Sequence, residues 1–215
     1  MTVTQRYRWL WKPLVFIAAC APLAWLVAGV FGLGGATLGA DPAKLIEHRL
    51  GLTALQILWL TLCVTPLRQL TGNSDLQRLR RMLGLFAAFY AVLHVVAYAW
   101  LDQDLDLRAI GADIVKRPYI TIGLLAVLMM LPLALTSTNG WMRRLKRRWQ
   151  SLHRLIYPIA VLGVWHFWWQ VKRDIREPLA YAALLALLLA WRYFWPRWRS
   201  RVTSTSGSAT APGRT

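Results

Sequence analysis

FAAFYAVLHVVAYAW, residues 86–100, contains one imidazole and no other strongly polar side chain except the hydroxyls of Tyr90 and Tyr98. A run this apolar is expected to lie in lipid or in a buried core. Extended to Met82–Leu101 it reaches the roughly 20 residues needed to cross about 30 Å of hydrocarbon as a helix. Five more apolar stretches share this character: Pro13–Leu33, Leu50–Pro66, Tyr119–Thr138, Leu155–Trp169 and Leu179–Trp195. Prolines mark several of their edges, where a missing amide costs little. With 57% hydrophobic residues and a mean hydropathy of +0.38, the 215-residue chain is too apolar for an ordinary soluble domain. The expectation is an all-α integral membrane bundle of six transmembrane helices. A segment 1–12 precedes the domain at 13–198, and a disordered cytoplasmic tail rich in Ser, Thr and Gly follows at 199–215. The first stretch is longer than a signal-peptide core and is read as a helix that stays, although Thr37-Leu38-Gly39-Ala40 resembles a cleavage site.

Charge sets the orientation. Lys and Arg number 26 against 9 Asp and Glu, a net +17. With the N-terminus inside, the outer loops hold Lys44, Arg49, Arg108, Lys116, Arg117, Lys172, Arg173 and Arg176, and the other 18 basic residues lie inside. Asp75 is the one acid on that side. An excess of Lys and Arg marks the cytoplasmic face, so both termini are expected in the cytoplasm of a bacterial inner membrane. The same placement argues against nucleic acid, since a basic face beside anionic lipid needs no other partner and no groove-reading motif accompanies it. Tryptophans at both expected interfaces, such as Trp11 and Trp149 inside and Trp100 and Trp169 outside, agree with this geometry. Cys20 and Cys63 fall in apolar helices without a CxxC pattern and read as packing residues.

Four histidines remain. Ionisable residues within a membrane span are costly and mark function by default, and neutral imidazole is the usual axial ligand of haem iron. His94 lies about 10 Å below the outer end of its stretch and His166 about 6 Å below the outer end of its own. These depths suit one bis-histidine haem in the outer half. His153, in QSLHRLIYPIAVLGVWHFWW (150–169), lies about 20 Å from His166 along the axis and cannot join that pair. On an ideal helix the two point roughly 140° apart, although Pro158 between them can kink the helix. His153 is either a ligand or pocket residue for a second, inner cofactor or a surface residue near headgroups, and no second histidine lies at its depth. An inner haem would need Met82 or Met142, water or an open position as its other ligand, or there is no haem at that depth. Arg154, Arg80 and Arg81 are available to neutralise a propionate or phosphate, or serve as orientation charges. His48 reads as an interfacial residue, and Tyr90 and Tyr98 share the His94 face, as a pocket wall or as plain packing. The glycines from Gly29 to Gly39 form no G-x-G-x-x-G after a strand. Electrons are therefore expected from a quinol, a small flavin or a separate reductase.

HRLGLTALQILWLTLCVTPLR (48–68), RRMLGL (80–85) with His94, and RWQSLHRLIYP (148–158) together resemble the MsrQ (formerly YedZ) family. This family supplies the haem-binding membrane subunit of the bacterial periplasmic methionine-sulfoxide reductase system, within the ferric-reductase-like transmembrane group. The likeness covers roughly residues 8–198. It implies haem b, one or two per chain, with FMN also a cofactor in the family. It further implies a periplasmic molybdopterin-containing partner that reduces oxidised methionines in proteins, and a quinone or cytoplasmic flavin reductase as donor. Carried over by motif, His94, His153 and His166 are the haem-ligand candidates, with Arg154 beside them, and no catalytic residue is assigned. The alternatives are a stand-alone ferric or quinone reductase, or a cofactor-free permease or assembly factor with histidines as proton relays. The charge count predicts Asp102–Lys116 outside. Asp104→Cys should react with an impermeant thiol reagent in intact spheroplasts, and labelling only after lysis would invert the topology.

Overall fold

The computed structural model describes residues 3–35, 37–171 and 174–207, with side chains for 5–35, 37–171 and 174–195. The described residues form helices and turns without a strand. The long helices are α1 (Tyr7–Val30), α2 (Pro42–Thr71), α3 (Asp75–Asp102), α4 (Pro118–Leu135), α5 (Ile156–Gln170) and α6 (Arg176–Gly207). Five of them are long and apolar enough to cross a membrane, and α5 is the exception. Its 15 residues reach about 22 Å at the helical rise, against roughly 30 Å of hydrocarbon. The chain is a multi-pass membrane protein.

Several helices outrun the apolar stretch that announces them, because a capped polar end continues the helical hydrogen bonding. α2 begins at Pro42, eight residues before its apolar stretch, with the Asp41 carboxylate accepting from the Lys44 amide at 3.1 Å. It ends at Gly72, whose φ of 68° places it in the left-handed region with its amide on the Arg68 carbonyl. The Asp102–Lys116 segment is largely a short helix, Leu107–Lys116, capped by Asp106 on the Arg108 and Ala109 amides. Two further short helices, Asn139–Leu145 and Arg147–Leu152, precede α5 and meet at Lys146. A 3₁₀ turn, His153–Leu155, then leads into α5. α6 is continuous to Gly207, so the boundary drawn at residue 199 falls within it, and residues 208–215 lie outside the described residues.

Two tightly packed pairs, α2 with α3 and α4 with α5, make the centre. They are joined through α3 on α4 and α2 on α5, while α1 leans on α2 and α3, and α6 on α2 and α5. α2 is the innermost, with 56% of its apolar window buried against 11% for α1. Leu58, Trp59 and Leu62 of α2 meet Ala87 and Tyr90 of α3 and Ile159 and Ala160 of α5 in the core. The alanines let backbones approach where lipid offers no hydrophobic drive for association. Phe16, Ile17, Leu60, Val96, Leu128 and Leu187 face outward, as a lipid-facing surface requires. One end of the bundle is cross-tied by polar contacts. Arg6 pairs with buried Asp75 at 3.0 Å, Arg81 donates to the Asn139 side-chain oxygen Oδ1 at 2.6 Å, and the Trp191 indole donates to Gln69 at 2.8 Å. The N-terminal end, the α2–α3 turn, the segment before α5 and Trp191 of α6 therefore share one end.

Side chains from neighbouring helices bond the backbone beside two of the prolines. Pro66 has no amide for the Leu62 carbonyl, and Arg192 of α6 donates to that carbonyl at 3.1 Å while also bonding the Thr65 hydroxyl at 3.2 Å and the Tyr157 hydroxyl. Beside Pro22, the Tyr90 hydroxyl inserts into the α1 ladder, accepting from the Leu23 amide at 3.2 Å and donating to the Ala19 carbonyl at 2.6 Å. Tyr98 donates to the Asp113 carboxylate of the short Leu107–Lys116 helix at 3.0 Å. The hydroxyls of both tyrosines thus tie α3 to its neighbours. Arg192→Met should destabilise the detergent-solubilised protein by roughly 1–3 kcal/mol, the cost of unmade buried hydrogen bonds. Adding Pro66→Ala should restore part of that, because the new amide serves Leu62. A denaturant series checks it, and equal harm from Pro66→Ala in both backgrounds would refute it.

Candidate metal centre

His94 projects from α3 and His166 from α5, and the bundle brings the two rings together edge-on. Their ring centroids are 6.1 Å apart with planes crossed at 71°. Both rings are partly buried. His94 Nδ1 lies 2.9 Å from the Glu47 carbonyl oxygen on α2, and His166 Nδ1 lies 2.7 Å from the Tyr119 carbonyl oxygen on α4. A carbonyl only accepts, so each Nδ1 carries the proton and donates it. The lone pair of each neutral ring is then on Nε2. Anchoring the far nitrogen in this way is how proteins orient a metal-binding imidazole.

The separation fits a shared metal. Imidazole nitrogens bind metals at about 2.0–2.1 Å and the ring centre lies roughly 1 Å behind the nitrogen, so two rings on opposite faces of one ion have centres about 6 Å apart. The crossed planes are no obstacle, since each ring can turn about its own metal–nitrogen bond. Among the described residues no group of three or more His, Cys, Asp or Glu is placed to hold a metal ion. The pair therefore suits an ion whose remaining ligands come from a macrocycle, as in haem. Only its two axial positions then need protein.

His153 stands apart from this pair, at the opposite end of α5. It sits in the 3₁₀ turn, so the 140° offset computed for one continuous ideal helix does not describe it. Its ring stacks on Trp149 with centroids 3.8 Å apart, and its Nδ1 lies 3.1 Å from the Trp149 carbonyl. Its Nε2 is buried without a hydrogen-bond partner. Burial pushes this imidazole below its ordinary pKa, the backbone contacts to Trp149 and Leu133 oppose that, and the Arg80 charge adds to the lowering. Arg154 is exposed and makes no ion pair among the described residues. His48 neighbours Glu47, with its ring 6.4 Å from that of Phe167. The residues that the sequence reading missed are those anchoring the pair: the carbonyls of Glu47 and Tyr119, and Gly51 and Gly123, against which the two rings lie.

The family model for the ferric reductase-like transmembrane component matches residues 50–164, which include His94 and His153 and stop two residues short of His166. Over 204 residues the chain is 56% identical to a protein-methionine-sulfoxide reductase heme-binding subunit MsrQ of Xanthomonas campestris pv. campestris (strain 8004), covering 94% of this chain and 93% of that one. The MsrQ of Xanthomonas oryzae pv. oryzae (strain MAFF 311018) is 55% identical over 201 residues, 92% of each chain. That of Azospira oryzae is 53% identical over 163 residues, 75% of this chain and 70% of the relative. The chain belongs to the MsrQ family of ferric reductase-like transmembrane proteins.

Proposed function

We propose that this chain is the haem-binding, electron-transferring membrane subunit of a methionine-sulfoxide reductase system in a bacterial inner membrane. The observation that carries this reading is the facing His94–His166 pair, with each Nδ1 anchored on a backbone carbonyl and the ring centres at the spacing of two axial ligands. Haem b, one or two per chain, would supply reversible one-electron chemistry there. The residues of this chain hold the two imidazoles neutral, orient them and surround them with apolar helix. Its relatives, heme-binding subunits of protein-methionine-sulfoxide reductases, point the same way. Reduction of methionine sulfoxide falls to a periplasmic molybdopterin-containing partner, and repair of oxidised proteins is the outcome.

Six spans with both termini in the cytoplasm form the frame of this reading, with α5 as the sixth and residues 13–198 as the transmembrane domain. The cross-ties that gather the N-terminal end, the α2–α3 turn and Trp191 at one end support it. His94 and His166 then belong to the periplasmic half and His153 to the cytoplasmic side. The burial of the His153 Nε2 at that end of the bundle supports a role where electrons enter, as ligand to a second haem or as part of a flavin pocket. Arg154 is the anion partner proposed beside it, for a propionate or the FMN phosphate. The donor is a quinol or a cytoplasmic flavin reductase.

His94→Ala and His166→Ala should each remove a low-spin haem or convert it to high spin, read from the reduced-minus-oxidised spectrum and haem content. Wild-type spectra in both variants would dismiss the pair. His153→Ala should slow reduction by the cytoplasmic donor while dithionite still reduces the outer centre. Normal donor-driven reduction with normal cofactor content would return His153 to a surface role.

A further inference from the structure

The two histidine attachments are copies of one design. On α2 the Glu47 carbonyl accepts from His94, and Gly51 follows four residues later. On α4 Tyr119 and Gly123 stand in the same relation to His166. Each histidine lies 47 residues after its acceptor. Every member is displaced by the same 72 residues: Glu47 to Tyr119, Gly51 to Gly123, His94 to His166. Because the central helices alternate in direction, α2 runs parallel to α4 and α3 to α5. The two pairs are thus related by a rotation about the bundle axis, as in parallel membrane repeats.

Distances show what the glycines do. A Cβ on Gly123 would stand 2.7 Å from His166 Nδ1 and 2.9 Å from its Cε1, closer than atoms in contact allow. On Gly51 it would stand 3.1 Å from the same two atoms of His94, a tight contact. In both seats the touching edge carries the hydrogen-bonded nitrogen, so a methyl group there displaces the ring from its carbonyl. Both glycines lie inside helices, where glycine is less favourable than alanine and a second role must offset that. The other glycines of α3 and α5 differ: a Cβ on Gly84 would come no nearer than 3.9 Å to Thr61, and on Gly163 no nearer than 3.5 Å to Leu55.

We propose that Gly51 and Gly123 are paired ring seats, positioning residues whose missing side chains let each imidazole reach its carbonyl and offer Nε2 to one shared iron. This rests on the reading of the pair as axial ligands. The test is electron paramagnetic resonance and the reduced α-band of the purified full chain with its haem, for Gly51→Ala, Gly123→Ala and the controls Gly84→Ala and Gly163→Ala. Gly123→Ala should lose the outer low-spin signal or pass to high spin. Gly51→Ala should shift the low-spin g values while keeping haem, and the controls should match the wild type. Low-spin signals unchanged in both seat variants would overturn the proposal. Absence of a bis-imidazole low-spin signal from the wild type would instead remove the ligand reading beneath it. Should Gly123→Ala fail to fold, the double variant Gly123→Ala/His166→Ala decides. Folding as well as His166→Ala alone ties the glycine to the ring, and failure of both double and single variants overturns the seat.

Discussion

An imidazole that donates its Nδ1 proton to a carbonyl of a neighbouring helix is fixed in tautomer, in orientation and in depth at once. His94 and His166 both do so, and the rest of the bundle is arranged around keeping those two bonds in place. They require α2 to pass close to α3, and α4 close to α5, which are the two tightest pairings in the molecule. They need glycine where each ring meets the helix. They also need a frame that keeps the pairs in register, supplied by α3 on α4 and α2 on α5. The spacing of the ring centres then follows from helix packing and needs no flexible loop.

The same demand for satisfied backbone groups governs the outer helices. Lipid supplies no hydrogen bonds, so a proline inside a span creates a debt that a neighbour must meet. Arg192 meets that of Pro66, and Tyr90 bridges the Ala19 carbonyl and the Leu23 amide beside Pro22. Both contacts cross between helices: α1 is held on α3, and α6 on α2. Such bonds lock the less buried helices to the centre where apolar packing alone has little preference.

Much of this was legible in the residues. Five of the six apolar stretches appear as helices long enough to span, and the rings of His94 and His166 come together although α3 passes into a π-helical turn at Tyr98–Asp102. Helix ends were less legible, since α2 carries Glu47, His48 and Arg49 inside a capped helix that composition alone treats as a loop. The acceptors were invisible for a different reason: every residue has a carbonyl, and nothing in Glu47 or Tyr119 as residue types marks theirs. Gly51 and Gly123 resemble any helical glycine until both are counted back from their histidines. His153 was placed on a continuous helix, whereas the turn before Ile156 breaks the angular arithmetic. Carrying the 72-residue shift to that end sets Arg81 against His153. The doubled design therefore holds where the two histidines meet and lapses at the other end of the bundle.

The Arg192 contact has an electrical consequence. Its hydrogen bonds go to a backbone carbonyl and two hydroxyls, and no carboxylate among the described residues pairs with it. The guanidinium is thus a fixed, uncompensated positive source in a region of low dielectric, where charge acts over longer distances than in water. Any redox group bound near that end of α6 would have its midpoint potential raised by such a neighbour. Pro66, by freeing a carbonyl to hold the arginine there, fixes where that charge lies.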